Sequence, residues 1–316
     1  MAQANSQLLL FQTGTVYGET PPAFTGAMVL PVFGLEVTPL TMETVERERV
    51  DPHAGRTLPP AAAMKFGTFS FSTYGCASGT AGTAPATSGL LQACGTTLAT
   101  VAGVSNTYTP SDLNQPTGFG HLRVFHGGGL YQLNSSMGNC QVTYAAGALP
   151  LYQWTFTGIY VPPEDGAVIA PTYPTVALDV VSDAVNTATF TLGPTLTPLN
   201  REMSTFTLDF GNQIETVDNP GGTKRVRIAS REPSASATIR HITLAEFNAF
   251  ELAANQTEHA MQLVHGSAGK RHTIAIPRFS YNAPAVQENN NEIFHGLEYL
   301  ISHPVNSPNY FSIKFD

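Results

Sequence analysis

The stretch LPLYQWTFTGIYV, Leu149–Val161, decides how the rest of this chain is read. Tyr152, Trp154, Phe156, Gly158 and Tyr160 fall on one face, and Gln153, Thr155, Thr157 and Ile159 on the other. A period of two is the mark of a strand with one buried face. KFGTFSFSTYG, Lys65–Gly75, repeats it, with Phe69, Phe71 and Thr73 opposite Thr68, Ser70 and Ser72. HLRVFHGGGLYQL, His121–Leu133, reads as a hairpin that turns at Gly127–Gly129. A first strand is expected at Val29–Val37.

Composition agrees with strands joined by turns. The 316 residues include 28 Gly and 23 Pro, with 42% hydrophobic residues, enough for one large core or two ordinary ones. Charged residues make up only 12%, about half the ~25% usual in soluble proteins. A subunit covered by neighbours has less need of a charged surface. The net charge of −8 argues against a DNA-coating protein, which would carry a basic stripe. The first residues, MAQANSQLLLFQTG, lack the basic start and apolar length of a signal peptide, and no apolar run approaches membrane-spanning length. Three cysteines, Cys76, Cys94 and Cys140, then read as free buried thiols.

The punctuation divides the chain. Residues 1–25 read as an extended N-terminal arm, with Gly14, Gly18, Pro21 and Pro22 against regular structure. Residues 26–165 form a first β domain with a long loop at about 47–64. Pro and Gly cluster from Pro162, and residues 166–316 form a second β domain. Strands are expected there at Thr175–Val181, Ala188–Leu192, Ser204–Phe210, Arg271–Tyr281 and Glu292–Ile301, with a turn at Asn219–Gly222 before KRVRIAS. TLAEFNAFELAA, from Thr243, reads as a helix opened by a Thr243/Glu246 capping box, with Leu244, Phe247 and Phe250 on one face. Strand, short helix, hairpin and glycine-bearing closing strand occur in both halves, which reads as a duplication that sets Gly158 beside Gly296.

Chemical motifs are weak. HGGG at His126–Gly129 resembles an oxyanion-hole string, but no G-x-S-x-G elbow accompanies it, so a hairpin turn is the better reading. GSAGKR at Gly266–Arg271 lacks the first glycine and the Ser/Thr of a phosphate-binding loop. The histidines and cysteines have no zinc spacing, and no cofactor is expected. GCASGTAGTAPATSGLLQACG, Gly75–Gly95, reads as a joint. Gly79 and Gly82 turn the chain, and Pro85 lies near the start of a short helix. Leu90, Leu91 and Cys94 share that helix's inner face, and Gly95 stops it. No paired nucleophile and base emerges, so an enzyme is not expected. A surface-binding β-sandwich, carbohydrate-binding or adhesin-like, would use Trp154 and the tyrosines as a ligand platform, whereas strand alternation favours core packing for them.

Five stretches together resemble the major tail tube proteins of long-tailed, non-contractile bacteriophages. They are LLLFQTGTVYGETPPAF (Leu8–Phe24), VERERVDPHAGRTLP (Val45–Pro59), KFGTFSFSTYG, SGTAGTAPATSGLLQACG (Ser78–Gly95) and LPLYQWTFTGIYVPPED (Leu149–Asp165). The resemblance covers about half the chain and implies β-sandwich or barrel-like units, each with a flanking helix. It implies rings stacked into a hollow tube through which the genome is ejected, with tail terminator, tape measure and tail-tip proteins as partners. Two fused units imply trimeric, pseudo-hexameric rings, with a hexamer as the alternative. Capsid decoration or the tail tip are other places in the virion for such a fold. Unpaired sheet edges would be satisfied by joining around a ring, and an acidic balance would let DNA pass without sticking. The segment with Glu46, Arg47, Glu48, Arg49, Asp51, His53 and Arg56, together with the N-terminal arm, is the candidate to reach the next ring.

Overall fold

The structure, a computed structural model, describes the chain except for residues 1–6, 15, 22, 48–58, 114–117, 175–180, 184–185, 188, 194–196, 199–202, 223, 242, 268, 290 and 305–306. The described residues are mainly β. β1 (Gln7–Gly14), β2 (Val29–Leu30), β3 (Phe33–Val45) and β4 (Ala61–Tyr74) precede helix α1 (Ser88–Ala93). β5 (Thr96–Val101), β6 (Ser105–Pro110), β7 (Phe119–His126), β8 (Gly129–Ala145) and β9 (Leu151–Asp165) follow. The second half opens with β10 (Thr189–Gly193), β11 (Thr197–Pro198) and β12 (Met203–Asp209). The hairpin β13 (Asn212–Val217) and β14 (Arg225–Arg231) leads to β15 (Ser234–Arg240) and helix α2 (Ala249–Ala254). β16 (His259–His265), β17 (His272–Tyr281), β18 (Ala285–Asn289), β19 (Glu292–Ile301) and β20 (Ser312–Phe315) complete it.

Alternation in β9 places its rings as the sequence requires. Tyr152, Trp154, Phe156 and Gly158 are buried, while Gln153 and Thr155 are exposed. Trp154 stacks between Tyr152 and Phe156, with centroids 5.9 and 6.4 Å away. Its indole N–H donates to Thr73 Oγ1 on β4 at 2.9 Å, which satisfies the one polar atom of a buried indole. The β7–β8 hairpin turns on Gly127 and Gly128, at φ +59° and +88°, with His126 opposite Gly129. Two consecutive positive φ values are what a tight hairpin turn demands and what glycine supplies. β9 runs on through Pro162 and Pro163 to Asp165. Beyond Ile159 only β8 lies beside it among the described residues, so prolines without an N–H are tolerated there.

Pairing is antiparallel throughout, and all strands but β13 and β14 belong to one hydrogen-bonded network. In the first half the order is β2–β1–β7–β8–β9–β4–β3. In the second half it is β11–β10–β16–β17–β19–β15–β12, with β18 continuing β17 alongside β19. α1 falls between β4 and β7, and α2 between β15 and β16. The halves join at two seams. Gln141–Ala145 of β8 pairs with Thr205–Asp209 of β12, and β20 bridges β17 and β6. One apolar core runs through both, from Leu9, Phe69, Trp154 and Leu91 to Phe206, Ile274, Phe279 and Tyr299.

Three expectations are corrected. The N-terminal segment is no arm: Gln7–Gly14 pairs along its whole length with β7, and Leu9 and Leu10 are fully buried. Its run of four large apolar residues fits a strand with both faces covered. Helix α2 starts at Ala249, capped by Asn248, whose side chain accepts from the Glu251 N–H at 3.2 Å. Thr243 and Glu246 instead meet side chain to side chain at 2.9 Å in a preceding turn, leaving Leu244 and Phe250 exposed while Phe247 packs on the core. Gly158 faces the core whereas Gly296 shares the outer face with Glu298, so the two glycines are not equivalent. The inward residues of β19 are His295, Leu297 and Tyr299. The expected strand Thr175–Val181 lies outside the described residues except Val181, which is not in a strand.

Candidate functional site

Strands β3, β4, β9, β8, β12, β15 and β19 form one continuous sheet through the β8–β12 seam. Its inner face is the core, so alternation turns short polar side chains to the outer face. There Thr68 and Ser70 of β4 lie 3.4 Å from Thr157 and Thr155 of β9, hydroxyl to hydroxyl. Such cross-strand pairs support a sheet without adding charge. Asn139 of β8 donates to Asp209 of β12 at 2.8 Å across the seam. A depression of about 410 Å³ on this face is lined by Glu36, Ser70, Ser72, Asn139, Gln141, Gln153, Thr155 and Asp209, with no basic side chain among its described lining residues. On the second half of the same face, Arg240 is held by Glu292 at 2.6 Å, and Glu298 accepts from the Asn282 side-chain amide at 2.9 Å.

The Gly75–Gly95 stretch leads away from this sheet. Gly79 and Gly82 take φ +82° and +75°, and the Ser88 N–H bonds Pro85 O one turn before α1 begins. Leu90, Leu91 and Cys94 are fully buried. Gly95, at φ +73°, ends the helix with its N–H on Gln92 O. Here the second half docks. Arg231, at the end of β14, donates through Nη2 to Gly95 O at 2.8 Å, through Nη1 to Ser111 O at 3.1 Å and through Nε to Asn212 Oδ1 at 2.8 Å. Asn212 in turn donates to Cys94 O and Gly138 O at 2.8 and 2.9 Å. Burial, with no carboxylate partner among the described residues, pulls the Arg231 guanidinium down to about 10, so it stays charged at neutral pH and is solvated by carbonyls. No sequence motif marks Arg231; the helix stop at Gly95 was the legible half of this contact.

Glu46 and Arg47 lie exposed just beyond β3. Glu48, Arg49, Asp51, His53 and Arg56 fall outside the described residues. Cys94 and Cys140 are buried free thiols whereas Cys76 is only half-buried, and burial pushes the Cys94 and Cys140 thiols up, away from the reactive thiolate. Among the described residues no group of three His, Cys, Asp or Glu side chains converges to hold a metal ion, and no helix is long and apolar enough to cross a membrane.

Three histidines give the subunit a pH dependence. Burial lowers His121, offset by Glu19 at 3.6 Å; it lowers His259 between Phe279 and Tyr281; and it lowers His295, helped by His241 at 2.6 Å. A folded-state pKa below the unfolded value means the unfolded chain takes up the proton first as pH falls. Their contribution is therefore present above about pH 6.5, the ordinary histidine value, and is lost below it. The melting temperature of the unassembled subunit should fall between pH 7.5 and 5.5, and His259→Phe should flatten that fall. A flat profile for the parent protein would refute the assignment.

The sequence model of the phage tail tube protein family matches residues 4–293, and the chain belongs to that family. No curated protein matches the chain.

Proposed function

We propose that the protein is the major tail tube subunit, that its two halves are tandem tube units, and that its copies assemble into stacked rings around a DNA channel. The family match supports a place in the tail. The observation that carries the channel reading is the outer face of the joined sheet. It offers hydroxyls, amides and the carboxylates of Glu36 and Asp209, with no basic group in the depression. A depression with no basic group among its described lining residues, and with Arg240 elsewhere on the face neutralised by Glu292, offers phosphate no counterion release and so leaves DNA free to slide. The recurring pairing order of the two halves supports trimeric rings of pseudo-sixfold symmetry. Stacking of such rings is a contact that need not close, which makes a filament. We assign the inter-ring contact to the segment from Glu46 to Arg56, and the tail terminator, tape measure and tail-tip proteins are its expected neighbours.

Negative-stain microscopy of the purified protein should show tubes of uniform width, and native mass spectrometry should give three chains per ring. A protein that stays monomeric at high concentration would sink the tube reading; six chains per ring would sink only the trimer. Ser70→Lys with Thr155→Lys should leave tubes intact yet slow DNA release by about tenfold at low salt, with recovery at high salt. Unchanged release at low salt would remove this face from the channel.

A further inference from the structure

The seam inside the chain shows how one copy would join the next. β8 is bonded to β9 on one side. Its other side is divided, with Gly129–Ser136 on β7 and Gln141–Ala145 on β12. The second half repeats this arrangement up to its last step. β17 bonds β16, its continuation β18 bonds β19, and the other side of β18 carries no strand among the described residues. β12 likewise stands at the end of its order beyond β15, as β3 stands beyond β4. β12 is covered by β8, while β3 pairs only with β4 among the described residues. The chain thus holds one completed seam and the two unmatched halves of a second.

Resting on the self-assembly reading above, we propose that β18 of one copy pairs antiparallel with β3 of the next, reproducing the β8–β12 seam. Superposing the two pairing orders by their inward-facing residues sets Ala285–Asn289 on Gln141–Ala145 and the Phe33–Thr38 stretch on Thr205–Asp209. The register that follows puts Ala285 opposite Thr38, as Gln141 is opposite Asp209, and Val286 opposite Val37, as Val142 is opposite Leu208. Exposure fits this. Every residue of β18 is exposed, Val286 at 61%, although Val286 lies beside the buried His295 on the core side of the sheet. Phe33, Leu40, Met42 and Val45 of β3 are also exposed. An exposed apolar edge strand is a template for another chain, and pairing satisfies its backbone donors and acceptors.

The test is cysteine cross-linking in assembled protein. Thr38→Cys with Ala285→Cys should give an oxidation-dependent ladder of covalent multimers on non-reducing gels, because directly opposed strand residues lie within disulfide reach. The off-register pair Thr44→Cys with Ala285→Cys and the parent protein, whose three thiols are retained, should give none. Val286→Lys should abolish tubes while leaving the melting temperature of the subunit unchanged, since that side chain is free in the monomer. If tubes form but the Thr38/Ala285 pair fails to cross-link, or Val286→Lys still makes tubes, the seam is wrong and the tube reading stands. If the parent protein forms no tubes at all, both fall.

Discussion

Arg231→Met is expected to lower the stability of the subunit by about 3 kcal/mol, because it leaves Asn212 Oδ1 and Ser111 O buried without their donor at about 1–3 kcal/mol each. Gly95 O keeps the N–H and hydroxyl of Ser111, and Cys94 O keeps Asn212, so these two carbonyls add little. Methionine keeps most of the side-chain volume, which separates lost donors from lost packing. Gly95→Ala attacks the same contact from the other side. Its Cβ would lie 2.4 Å from Arg231 Nη2 and 2.6 Å from Ile228 Cδ1, at a φ of +73° that strains any L side chain. Combined, the two changes should cost clearly less than the sum of their separate effects, since each already breaks the same docking. Chemical denaturation of the unassembled subunit measures all three. Additive losses would mean that Arg231 and Gly95 act independently.

Trp154→Ala is expected to cost about 3–5 kcal/mol, the range for removing a large buried aromatic side chain. The indole is 1% exposed, flanked by two stacked rings, and donates to Thr73, so truncation leaves a cavity and an orphaned hydroxyl together. Against a typical total of about 5–15 kcal/mol, that is a large share of the folding free energy. Trp154→Phe should recover most of the packing and leave only the Thr73 hydroxyl unsatisfied. The same pair tests the ligand-platform alternative. A platform tryptophan would be exposed and its loss would leave the melting temperature unchanged, whereas here a drop of roughly 10 °C is expected.

The parts that were legible in the sequence are those set by neighbouring residues. β4 and β9 announce themselves because alternate side chains must enter a core or leave it. Gly127 and Gly128 mark the turn between β7 and β8, and Leu90, Leu91 and Cys94 with Gly95 mark a helix and its stop. Reading failed where local chemistry gives two answers. Leu8–Phe11, between turn-forming residues, reads locally as an arm, and only pairing with β7 shows it to be an inner strand. Thr243 and Glu246 fit a capping box, yet the helix waits for Asn248 because the preceding turn places Phe247 against the core.

The polar face divides in the same way. Its residue types follow from alternation along β4, β8 and β9, so Ser70, Gln141 and Thr155 were bound to share the face opposite Phe71, Val142 and Phe156. Bringing Glu36 and Asp209 to the same depression required the β8–β12 seam. By itself, then, the sequence determined a β-rich chain, its main strands, its hairpin and the short helix before Gly95. Tertiary structure alone decided that β8 is shared between β7 and β12, that Arg231 reaches a carbonyl 136 residues away, and that β3 and β18 are left as edges among the described residues. The physical reason is that every strand edge offers the same N–H and C=O groups. Which edges meet is therefore settled by packing between distant parts of the chain, which no local period records.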